Sequence, residues 1–71
     1  MQALDETETE QIQAQLFTLR QEHRDLDAVL DEFATHPPAD QLLLRRIKKW
    51  KLALKDRINH LEQLLTPDIP A

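Results

Sequence analysis

The side chains of this 71-residue chain that could do chemistry are few: three histidines (His23, His36, His60), scattered carboxylates, and a basic string from Arg45 to Arg57. Nucleophilic catalysis needs a serine, cysteine or threonine held beside a base. The chain has no serine and no cysteine, and no histidine sits in a threonine–acid pattern. Lack of cysteine also excludes disulfides and thiolate metal sites. Lack of glycine excludes the phosphate-cradling loops, whose backbone torsions and close approaches only glycine tolerates. Asp56 and His60, one helical turn apart, could share a metal ion, but two donors without a third make a poor site. A surface pair is the simpler reading, and His36 before Pro37 is a linker residue. Neither an enzyme, a cofactor nor a bound metal is expected.

The basic string holds seven bases and one acid in thirteen residues. Phosphate neutralisation by Arg45, Arg46, Lys48, Lys49 and Lys55 is the reading to weigh here. Against it, the bases point around the whole helix, and the net charge of the chain is −4. An acidic partner helix also lies alongside, with Asp27 on the same flank as Lys48. Pairing and solvation are therefore the preferred reading, and nucleic-acid contact is the alternative.

Helices must position these groups. Helix formers dominate, and the absence of glycine disfavours tight β-turns. Thr7-x-x-Glu10 reads as a capping box. Pro37 and Pro38 stop the first helix, and Asp40 is a natural N-cap for the second, which ends before Pro67. The expected organisation is a disordered 1–6, a helical hairpin over 7–65 and a disordered 66–71. The hairpin divides into a helix 7–35, a link 36–40 and a helix 41–65.

Apolar spacing then selects the seam. In the first helix Ile12, Leu16, Leu19, His23, Leu26, Leu30 and Phe33 alternate steps of four and three. In the second, Leu44, Ile47, Lys51, Leu54, Ile58, Leu61 and Leu65 alternate steps of three and four. Unbroken heptads predict coiled-coil packing. A short link makes the helices antiparallel, so facing residues should have numbers with a constant sum. Sums of 73 to 74 pair Leu30 with Leu44, Leu26 with Ile47, Leu19 with Leu54, Leu16 with Ile58 and Ile12 with Leu61. They also bring His23 and Lys51 into one layer. That layer is expected to fix register rather than relay protons, with Lys51 reaching toward Glu22 or Asp27 and repelling a charged His23.

One seam of about a dozen aliphatic side chains buries less than half the apolar surface needed to order such a chain. A second stripe flanks it: Leu43, Trp50, Arg57 and Leu64, with Val29 beside Leu43. Trp50 could anchor a foreign partner, but the core of a homo-oligomer is the favoured reading. Charge is divided as well. Residues 1–35 hold nine acids and two bases (−7), and residues 36–71 hold seven bases and four acids (+3). The two halves attract.

LRQEHRDLDAVL (19–30) followed by IKKWKLALKDRINHL (47–61) resembles the YdcH-like family, small bacterial proteins of unknown function. Glu22, His23, Leu26 and Asp27 carry the first part of the match. Lys48, Lys49, Lys51, Leu52, Leu54, Lys55, Asp56 and Ile58 carry the second. Ile47, Trp50 and Arg57 depart from the family pattern, and two of these lie on the spare stripe. The resemblance implies a helical hairpin and supplies no reaction.

The expectation is thus an all-α, antiparallel two-helix hairpin that assembles into a four-helix bundle. It acts as a homo-oligomeric interaction module through Val29, Leu43, Trp50 and Leu64. Its partners are itself and possible further proteins. No apolar run suits a membrane, and the acidic opening MQALDETETEQ does not read as a signal peptide, so a bacterial cytoplasmic location is expected.

Overall fold

A computed structural model describes residues 5–66. It contains α1 (Glu6–Thr35) and α2 (Gln41–Leu65), and the two pack on each other as an all-α hairpin. The expected disordered segments 1–6 and 66–71 lie outside the described residues except for Asp5, Glu6 and Thr66. All three belong to helix ends. The Asp5 carboxylate accepts from the Glu8 amide at 2.7 Å, so Asp5 is the N-cap and Glu6 opens the first turn. This replaces the Thr7–Glu10 box. Aspartate caps at least as well as threonine, and the earlier start puts Glu6 and Glu8 in the first turn, at the positive end of the helix dipole.

Both helices end without a left-handed residue, which a chain lacking glycine supplies only at a cost. The His36 amide donates to the Glu32 carbonyl at 2.7 Å, and the Thr66 amide donates to the Glu62 carbonyl at 3.0 Å. Each of these residues precedes a proline and has left helical torsions. Asp40 caps α2 by accepting from the Leu42 amide at 2.9 Å.

The hairpin is a rod of 50 × 27 × 16 Å, with a radius of gyration of 16.0 Å where a compact chain of this length would have about 11 Å. Leu16, Leu26, Leu54, Ile58 and Leu61 are buried, and the other nine seam positions are half-buried. Leu16, Ile58 and Leu61 form one cluster near the open end of the hairpin, with Ile12, Leu19 and Leu65 packed on it.

Register departs from the sums of 73 to 74. Across the seam, Arg20 pairs with Glu62 and Asp27 with Lys51, sums of 82 and 78. On the opposite edge Gln15 and Arg57, which sum to 72, line one shallow depression. Core layers summing to 77 accommodate all three, since edge positions then add to 82 on one side and 72 on the other. They also give every seam residue a counterpart, from Phe33 with Leu44 to Ile12 with Leu65. The link explains the shift. It runs from 36 to 40, so the turn centres on Ala39 or Pro38 and facing numbers must total roughly twice that. The helices are therefore displaced by about one turn from the expected alignment.

Candidate functional site

Three features remain once the seam is closed: a polar junction inside it, a basic helix surface, and an exposed apolar strip along one edge.

At the junction His23 and Lys51 lie in neighbouring layers rather than one, and the Asp27 carboxylate joins them. One Asp27 oxygen takes the Lys51 ammonium, and the other lies 3.6 Å from His23 Nδ1. The Lys51 hydrogen bond holds the Asp27 carboxyl below its usual range. Lys51 reaches Asp27 rather than Glu22, and it takes the place across the seam that was expected of Lys48. The repulsion anticipated between His23 and Lys51 is answered by a carboxylate between them. An i, i+4 pair on α1 and a cation from α2 suffice to build this junction.

The basic surface is almost wholly unpaired. Arg45, Arg46, Lys48, Lys49, Lys55 and Arg57 are exposed, and with described residues only Lys51 of the seven α2 bases makes an ion pair. The expected neutralisation by α1 is thus confined to the junction. α1 instead spends Arg20 on Glu62, a pair that only the corrected register makes visible in the sequence. His36 turns back to Glu32, 3.1 Å away. Asp56 and His60 are exposed. Among the described residues no three histidine, cysteine or acidic side chains converge as metal ligands would.

The strip is the largest unexplained feature. Trp50 is 53% exposed, Leu64 47%, Leu43 40% and Val29 37%. The three α2 residues lie seven and fourteen apart, on the edge of the seam that also carries Arg57 midway between Trp50 and Leu64, and Val29 sits on the facing edge of α1. Phe17, Leu42 and Leu52 are also well exposed. The apolar pattern did not single them out, since each stands alone on an outer face, where isolated apolar residues are ordinary. No described helix is long and apolar enough to cross a membrane.

A family model described as "Protein of unknown function (DUF465)" matches residues 17–62, which takes in eleven of the fourteen seam positions, the junction and most of the strip. No curated protein and no solved structure matches the chain. The chain belongs to this family, the YdcH-like small proteins.

Proposed function

We propose that this member of the YdcH-like family is a non-enzymatic interaction module whose first partner is a second copy of itself, in the cytoplasm of a bacterium. One observation carries the reading: Val29, Leu43, Trp50 and Leu64 form a solvent-facing apolar edge beside a seam with only five buried side chains. Burying an indole and two leucines is worth far more than the exposed ion pairs on the rest of the surface. Two hairpins joined along this edge make a four-helix bundle. Trp50→Glu tests the reading. A charge at the centre of the covered strip should convert a dimer of twice 8.3 kDa into monomers in sedimentation equilibrium, with helicity falling at the same time. A variant that assembles and melts as the parent does overturns the proposal.

A second reading rests on the exposed Arg45, Arg46, Lys48, Lys49 and Lys55, which make no ion pair among the described residues. Five phosphate contacts would make duplex binding fall about a hundredfold or more between 50 and 200 mM salt. Fluorescence anisotropy with a labelled duplex separates the two readings. No binding at low salt leaves the bases as solvated surface.

A further inference from the structure

α2 carries, on its exposed face, a second antiparallel pattern: residues whose numbers total 105 to 107 are chemically matched in three of four pairs. Leu43 and Leu64 add to 107, and so do Trp50 and Arg57. On the neighbouring positions Lys49 and Asp56, of opposite charge, add to 105, while Arg46 and His60, which add to 106, are not complementary. All eight are exposed. The midpoint of the series is Ala53, also exposed and the one alanine in α2.

From this pattern, and resting on the proposed self-association, we infer that α2 packs antiparallel against α2 of the second copy, with the twofold axis passing beside Ala53. The pairing is isologous, so each contact is made twice. Leu43 meets Leu64 at both ends. Trp50 meets Arg57 on either side of the centre, indole under guanidinium, an arrangement that suits both groups and removes two arginines from each other's way. Lys49 and Asp56 flank the contact with opposite charge. The small side chain of Ala53 lets the two backbones come close where they cross.

The other way to join two hairpins sets the acidic α1 of one on the basic α2 of the other. It matches net charge but leaves Leu43, Trp50 and Leu64 facing Glu22 and Gln15. Exposed charge pairs stabilise only slightly, whereas covering an apolar strip of roughly 300 Å² or more per chain stabilises strongly. Apolar matching therefore decides, and Lys49 with Asp56 lessens the charge penalty of setting basic helix on basic helix.

A residue swap tests the pairing. Trp50→Arg sets arginine against arginine and should weaken the dimer by about 30-fold or more. Adding Arg57→Trp to that variant restores one tryptophan and one arginine in each contact, and should recover at least about 10-fold of the loss in sedimentation equilibrium. Circular dichroism at high concentration checks that both variants still form helices. A single Ala53→Cys, the only thiol in the chain, should give a covalent dimer with a short thiol-specific cross-linker. A dimeric protein in which the swap recovers nothing and Ala53→Cys fails to cross-link overturns the antiparallel α2 pairing and leaves self-association standing. A parent chain that is monomeric at every concentration overturns both.

Discussion

The two ends of the hairpin carry the same heptad and bury it unequally. Toward the open end, Leu16, Ile58 and Leu61 form the tightest cluster in the molecule, closed over by Ile12, Leu19 and Leu65 and bracketed by Arg20–Glu62. Toward the link, Leu30, Phe33, Leu44 and Ile47 are only half-buried. The polar junction of His23, Asp27 and Lys51 separates the two regions. The lesson is that periodicity says which residues face inward, while neighbours decide how much they bury. At the open end an aliphatic residue fills every layer. Next to the junction two of fourteen seam places are taken by polar side chains, and the nearby apolar residues Val29 and Leu43 turn outward to the strip. The exposed strip is not confined to the weaker half: it starts there with Val29 and Leu43 and runs past Trp50 to Leu64 at the open end.

The largest effect that should separate the halves is a cavity. Leu16→Ala removes a side chain only 3% exposed and should cost about 3 kcal/mol of unfolding free energy. Leu44→Ala, in the half-buried region, should cost about 1 kcal/mol. Urea unfolding at fixed protein concentration compares them, and equal costs would erase the distinction drawn between the ends.

A smaller effect lies at the boundary. The folded protein holds the Asp27 carboxyl below its usual range through Lys51, so across that interval the unfolded chain binds more protons than the folded one. Stability contributed by the junction is therefore fully present above the unfolded value of about 3.9 and lost as pH falls through the lower folded value. Asp27→Asn should flatten that part of the acid melting profile while leaving the neutral end of the profile nearly parallel to the parent's. An unchanged acid slope in Asp27→Asn would remove the junction from the pH response.

Much of this was legible in the residues. The prolines, the Asp40 cap and the two heptads suffice for a helical hairpin with its seam. The start of α1 was not, because Asp5 and Thr7 are both competent caps two residues apart, and local propensity does not choose between them. The alignment of the helices was shifted because hydrophobic spacing repeats every three or four residues. Slipping one turn still pairs apolar with apolar. The centring of the link on Pro38 and Ala39, and edge pairs such as Arg20 with Glu62, distinguish the alignments. The role of Asp27 follows from that alignment, as does the separation of His23 from Lys51. Exposure of Trp50 could be anticipated from its place off the seam, because the α1 residue opposite it on that edge is the polar Glu22.

Trp50 is the only tryptophan in the chain, so its emission reports directly on the surface at the centre of the account. Its spectrum should be measured along a dilution series, with the sedimenting mass followed over the same concentrations. A covered strip predicts blue-shifted emission at high concentration that moves red on dilution, in one transition coincident with halving of the mass. Emission that is red and unchanged from the highest to the lowest concentration, in a protein of constant mass, would contradict the claim that a second copy covers Trp50.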